Sequence, residues 1–507
     1  MTSWYYYDYK QWIKDGCNVN AKITILNIYD NDLLELSEHI GNLINLQILN
    51  SWYIKLVKLP ETIGSLINLR ILDCSNNKLV KLPETLGSLI NLHKLNCSIN
   101  QLTELPETLG NLINLQELNC WNNKLVKLPE TIGSLINLHK LECSTNQLTK
   151  LPETINNLIN LQKLDCSYNK LIKLPNTLDN LINIQELNCS SNKLKELPKT
   201  LTNLINLQKL YYSYNELIKL PRTIGHLIKL QKLYCNNNKL EELPKSINNF
   251  VNLKILYCGQ NKLKQLPNIL DNLINLEELD CAINELTELP KSINNLVNLK
   301  ILHCGHNKLK QLPKILDNLI NLEGLDCSDN KLIKLPETIG NLINLQYLYF
   351  QNNKLIKLPE TISNLINLQN LWCINNKLTE LPETIGNLIK LEILYCTGNK
   401  ISKLPISIMK LKHLEEINYD KNIYLPVNLQ RFIKRIKNND VHNDVHNNSI
   451  QISLLNSINI LLSETITKDI NLIDDNILDN KSKSILYNFI EDKTVGDLLI
   501  NFEELLI

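Results

Sequence analysis

The sequence predicts an α/β solenoid. Each turn of chain adds one short strand to a parallel β-sheet on the concave face and returns along the outside through short helices or 3-10 turns and loops, with a small helical tail at the C-terminal end. Three observations carry that expectation. A 23-residue period runs from Ile23 to Leu414 without an insertion or deletion. Within each period apolar and polar residues alternate over four positions, the pattern of a half-buried strand. The 44% hydrophobic content comes mostly from Leu and Ile, with only 6% aromatic residues, which suits an interior filled at regular intervals rather than a set of ordinary cores.

The leucine of an INLxxL signature marks position 1 of the repeat. It stands at 46, 69, 92, 115, 138 and 161, becomes Ile184, and resumes at Leu207 to continue at the same interval to Leu414. Seventeen full repeats fit between residues 23 and 413, and a degenerate eighteenth begins at Leu414. In the repeat 69–91, Leu69, Leu72 and Cys74 are followed by Asn77, Leu79, Leu82, Pro83, Leu86 and Leu89. Leu72 and Cys74 are expected to face inward, Asp73 and Ser75 outward, and Pro83 to end any hydrogen-bonded continuation. Position 19 is Gly in eight repeats, Asn in three and Asp in three, which predicts a left-handed backbone there. One such unit cannot bury its own apolar edge, so stability must come from stacking neighbours.

Position 9 is Asn in every full repeat except the second, where Ile54 replaces it. The column through Asn77, Asn100, Asn123, Asn146, Asn169 and Asn192 reads as structural rather than catalytic. A buried Asn amide donates and accepts, and is expected to satisfy backbone groups of the next coil.

The unit L-x-x-L-x-C/L-x-x-N-x-L-x-x-L-P-x-x-I-G-x-L-x-N resembles the intracellular leucine-rich repeats of this same length, in particular the Ras-group type with its LPxxIGxL half. The resemblance covers about four-fifths of the chain and implies a leucine-rich-repeat horseshoe. It also implies a protein partner, with a small GTPase or its regulators as candidates, and no cofactor.

Fourteen cysteines suggest a disulfide scaffold until their positions are read: thirteen, from Cys74 to Cys396, occupy position 6, and only Cys17 lies outside the repeats. Neighbouring strands lie about 4.8 Å apart with side chains parallel, whereas a disulfide needs Cβ atoms nearer about 3.8 Å. The column therefore reads as small buried hydrophobes, replaced by Tyr212 and Phe350 in two repeats. One thiol per coil, all facing one way, cannot wrap a metal ion. Free thiols and an N-terminus without a signal-peptide pattern predict an intracellular, cytoplasmic protein. No run of 18 apolar residues occurs, so no membrane span is expected.

Binding information is expected at the outward positions 3, 5, 7 and 8. Position 5 runs Asn50, Asp73, Asn96, Asn119, Glu142, Asp165 and Asn188, then Tyr211, Tyr234 and Tyr257, then Asp280, His303 and Asp326, then Tyr349, Trp372 and Tyr395. Two aromatic ridges at strand spacing would be exposed apolar surface of the kind found at interface hot spots, whereas the competing reading is ordinary strand packing. Position 16 is banded too: Glu61 to Glu153, then Lys199, Arg222, Lys245, Lys291 and Lys314, then Glu337, Glu360 and Glu383. That banding sits within a net charge of +1, which leaves nucleic acid an unfavoured partner. Residues 253–267 match 299–313 at an offset of two repeats, so uniformity here reflects duplication and only the differences, such as Tyr257 against His303, bear on specificity.

The chain thus divides into an aromatic-rich N-terminal cap (1–22), the repeats (23–413), a degenerate repeat with a C-terminal cap (414–437), a polar linker (438–449) and a short helical tail (450–507). His442 and His446 in the linker have metal-compatible spacing on a helix, but Asn and Asp disfavour helix there and no third ligand is evident. No phosphate-binding glycine loop or nucleophile elbow appears, and no cysteine follows Cys396, so a fused cysteine-dependent ubiquitin ligase is not expected. The sequence reads as a non-enzymatic scaffold or adaptor. Its alternatives are an adaptor whose tail recruits machinery such as a ubiquitin ligase, or a binder of nucleic acid or another non-protein ligand through the basic band.

Overall fold

The computed structural model describes residues 2–29 and 33–439. Among them, nineteen strands form one parallel sheet in which every strand pairs with the strand before and after it in the chain. Each repeat supplies positions 3 to 5, as in Ile71–Asp73, and the register advances by one full repeat at every step, as Leu72↔Leu95 shows. This is a leucine-rich-repeat horseshoe. The central leucine of each strand points into the core, together with positions 1, 6, 11, 14, 18 and 21; in the repeat 69–91 all seven are buried.

The sheet begins before the repeats. Ser3–Trp4 pairs in parallel with Ile25–Leu26, and the helix Tyr6–Lys14 follows, burying Tyr9 and Trp12. The Tyr9 hydroxyl accepts the Ser37 N–H at 2.8 Å, and the Trp12 indole N–H donates to the Asn18 carbonyl at 2.8 Å. At the other end the strand Glu416–Asn418 is followed by the helix Val427–Asn439, whose Leu429, Ile433 and Ile436 join the apolar core. The linker with its His442–His446 pair and the tail beyond it lie outside the described residues.

The return path is made of 3-10 turns rather than α-helix. Pro at position 15 is extended, and the five residues after it close a short 3-10 segment, as in Glu84–Ser88. The glycine of position 19 is not left-handed, which corrects the sequence expectation. It is small because the next coil leaves no room: a Cβ on Gly64 would lie 2.5 Å from the Thr85 carbonyl oxygen, and one on Gly133 2.5 Å from that of Thr154. Where Asn stands there, at Asn156, Asn248 and Asn294, the following repeat has no 3-10 segment. The displaced turn is held instead by the Asn side chain, which accepts the N–H of Asn180, Asn272 or Asn318 at 3.1 to 3.2 Å.

The left-handed residue is at position 8. It has a φ near 50° in every repeat from Asn76 to Asn375, including at Ile99 and Ile283, whose β-branched side chains disfavour that conformation, and Gly398 closes the series at 70°. Backbone bonds on both sides hold it there. Asn76 N–H donates to the Ser98 carbonyl at 2.9 Å, and Asn77 N–H to that of Ile99 at 3.0 Å. Stacking between coils thus offsets a local conformational cost.

Candidate concave-face interaction site

The position-9 amides sit beneath the sheet-side turn. Asn100 Nδ2 donates to the carbonyls of Cys74 (3.0 Å), Cys97 (3.1 Å) and Ser98 (3.1 Å), and its Oδ1 accepts the Leu79 N–H at 2.9 Å. Asn77, Asn123, Asn146, Asn169 and Asn192 repeat the arrangement. Each reaches back to the coil before it, not forward to the next. A second ladder, which the sequence reading did not single out, uses position 23: Asn91 Nδ2 donates to the Ile67 carbonyl and Asn114 Nδ2 to that of Ile90, both at 2.9 Å. The Asn of every INL triplet was visible; its role depends on which carbonyl the neighbouring coil presents.

All fourteen cysteines are free and buried. Eight of the position-6 thiols donate to the position-5 carbonyl of the following coil, as Cys143 does to Asp165 at 3.3 Å. Burial pushes them up, Cys97 to about 12, so they stay protonated and serve as donors. Tyr212 and Phe350, which take the place of Cys, are fully buried. They open the two aromatic triads: Tyr211–Tyr212 and Tyr349–Phe350 stand six repeats apart.

Along column 5 neighbouring rings are in contact, tilted or edge-on except for the stacked pair Trp372–Tyr395. Tyr211 and Tyr234 have centroids 4.9 Å apart, and Tyr234 and Tyr257 4.8 Å. Tyr349 and Trp372 lie 4.4 Å apart, and Trp372 and Tyr395 5.4 Å. The central three are half-buried, but Trp372 (7% exposed) and Tyr395 (4%) are buried, which corrects the picture of two equally exposed ridges. Position 7 departs from the expectation too: Ser98, Ser144, Ser167 and Ser328 are buried. His303, between the triads, keeps its side chain 48% open and lies 3.9 Å from the Asp326 carboxylate. Desolvation pulls this imidazole down, but the carboxylates of Asp326, Asp280 and Glu278 outweigh it, leaving His303 above its ordinary value.

The flanking column at position 3 mixes charged residues with Ile255, Ile301, Tyr347 and Ile393. Lys209 and Lys163 bracket Glu186 at 3.1 and 3.6 Å, and Tyr257 donates its hydroxyl to Glu278. On the outer edge, position 22 exposes Ile or Val in successive coils, among them Ile67, Ile90, Ile113 and Ile136 at 50–55%. This apolar stripe was legible in every INL triplet, although the sequence reading treated the triplet only as a marker of period. Among the described residues no group of three or more His, Cys, Asp or Glu could hold a metal ion, and no helix is long and apolar enough to cross a membrane.

Comparison with known proteins agrees with this architecture. A model of the leucine-rich repeat region matches residues 25–126, 198–304 and 280–378, and shorter leucine-rich-repeat models match 160–181 and 366–407. No curated protein sequence matches the chain. Among solved structures, a leucine-rich-repeat protein of Leptospira interrogans is 34% identical, over 82% of this chain and 99% of that one, with a TM-score of 0.65. The plant peptide hormone receptor RGFR1, solved in complex with RGF2, is 28% identical over 78% of this chain and 70% of its own, with a TM-score of 0.64. The functional domain of InlJ from Listeria monocytogenes, which includes a cysteine ladder, is 27% identical over 66% and 70%, with a TM-score of 0.57. Repeat motif, sheet and family model converge: this chain belongs to the leucine-rich-repeat proteins.

Proposed function

We propose that the protein is an intracellular scaffold or adaptor that holds a protein partner against the concave sheet face, centred on Tyr211, Tyr234 and Tyr257. Leucine-rich repeats in general mediate protein–protein interaction, and their families are typically binding domains rather than enzymes. The observation that carries the reading is the central ridge: three half-buried rings in mutual contact on the sheet face, flanked at position 3 by Lys209, Lys232 and Ile255. Partly exposed Tyr supplies large contact area at small entropic cost, which is why it is enriched at hot spots. The thirteen buried, unpaired thiols of position 6 support a reducing compartment. The LPxxIGxL half keeps a small GTPase or its regulators among the candidate partners.

The test is a paired affinity purification from cell lysate, using the intact chain and a variant with Tyr211→Ala, Tyr234→Ala and Tyr257→Ala, both checked for fold by circular dichroism. Partners retained by the intact chain and lost by the folded variant are the expected result. Equal retention by both would refute the central ridge as the contact.

A further inference from the structure

Column 5 carries four Asp residues, and one of them differs. Asp73 accepts the Ser75 N–H and hydroxyl at 2.9 and 2.6 Å on one oxygen and the Asn96 amide at 3.1 Å on the other. Asp165 has the same set from Ser167 and Asn188. Asp326 accepts the Ser328 N–H at 2.9 Å and faces His303. Asp280 has Ala282 where the others have Ser, and His303 where two of them have Asn. Its Oδ1 accepts the Ala282 N–H at 2.9 Å, and its Oδ2 has no hydrogen-bond donor among the described residues.

The surroundings fit a cation. Tyr257 is its register partner on one side and His303 on the other. At positions 2, 3 and 5 of the four repeats that begin at Leu253, five carboxylates (Glu277, Glu278, Asp280, Glu323 and Asp326) stand against two lysines, Lys254 and Lys300, and Lys254 lies 3.6 Å from Glu277. Lys300 is already committed to Glu277 at 2.9 Å. Space beside Asp280 is kept by Gly259, where a Cβ would come within 2.9 Å of both carboxylate oxygens.

We propose that this stretch of the concave face seats a basic side chain, the lysine or arginine of an extended segment of the protein partner, on the open oxygen of Asp280 beside the Tyr257 ring. The inference rests on the reading of the concave face as a protein-binding surface and names the chemistry it selects. A cation there gains both the carboxylate and the ring face. It also relieves Asp280, whose carboxyl burial lifts above the usual range despite the charge on His303 and the Ala282 N–H. Because that burial disfavours the charged form in the folded protein, Asp280→Asn should leave thermal stability unchanged or raised while weakening binding. A merely structural carboxylate would behave the opposite way.

The probe is a display library of random peptides of about twelve residues, long enough when extended to cross the roughly 38 Å of sheet from Tyr211 to Tyr395, selected on the full chain. Enrichment of Lys- or Arg-bearing peptides is expected. The strongest of them should bind Asp280→Asn and Gly259→Ala about tenfold or more weakly, with both variants folded. Enriched peptides that lack basic residues, or that bind Asp280→Asn as tightly as the parent, would overturn the basic seat. If those peptides are still lost on the Tyr211/Tyr234/Tyr257 alanine variant, the protein-binding reading survives alone. No enrichment at all would refute an extended segment as the occupant, leaving the broader reading to the affinity purification.

Discussion

The two aromatic triads have the same architecture and different surroundings. Each opens with a large ring at position 6 and continues with three rings at position 5, one per strand. In the central triad the rings remain half-buried, beside Lys209, Lys232 and the small Gly259; in the C-terminal triad Trp372 and Tyr395 are buried, beside Tyr347, Gln351 and Ile374. An aromatic run along a strand column therefore does not by itself mark a recognition surface. How much ring remains open differs along the columns: Trp372 and Tyr395 are packed away, whereas Tyr349, like the three central rings, stays half-buried.

The largest expected effect follows from that split. Trp372→Ala should cost about 3–5 kcal/mol, as for a buried aromatic, whereas Tyr234→Ala should cost about 1–2 kcal/mol, mainly its ring contacts. Hydrogen exchange of the local strands is the suitable measurement, since a long repeat array does not unfold as one unit. Next in size are the ladder amides beneath the triads. Asn376 donates to the Phe350 carbonyl at 3.0 Å and Asn238 to the Tyr212 carbonyl at 3.0 Å, with matching bonds from Leu355 N–H and Leu217 N–H. Alanine at either should cost about 2–3 kcal/mol, because buried backbone groups lose their partner. Equal losses would place the difference between the triads in column 5; a large inequality in strand exchange would place it in the scaffold.

A smaller effect is expected for Trp372→Phe. The indole N–H is buried without a partner among the described residues, so a ring that keeps the stacking and drops the donor should change stability by no more than about 1 kcal/mol, in either direction. A loss as large as that of Trp372→Ala would contradict the packing role assigned to the ring face. The smallest effect concerns pH. His303 lies above its ordinary value, so the stability from its contact with Asp326 is fully present below the unfolded imidazole value and is lost as pH rises through the folded one. Wild type should therefore exceed His303→Gln in melting temperature at about pH 5.5 and match it at about pH 9. A constant difference across that range would assign the effect to packing alone.

Much of this was legible in the residues. The period of the leucines specified the coil, the strand and the inward thiols, and the Asn of position 9 stood out as structural, because these features follow from spacing within one repeat. What eluded the sequence depends on the neighbouring coil. Gly at position 19 looked like a turn residue, yet it is small because a threonine carbonyl of the next repeat presses on it, while the left-handed residue hides at position 8 behind side chains as unfavourable as Ile99. Likewise Trp372 and Tyr395 sat in an outward column, and only their neighbours show that outward is not exposed.

The most direct test of the account compares two triple-alanine variants, one at Tyr211, Tyr234 and Tyr257 and one at Tyr349, Trp372 and Tyr395, measuring partner retention and thermal melting on the same samples. The account predicts that the central variant melts near wild type and loses its partner, while the C-terminal variant loses stability by the larger margin. Retention by the central variant together with loss by a fully stable C-terminal variant would contradict it.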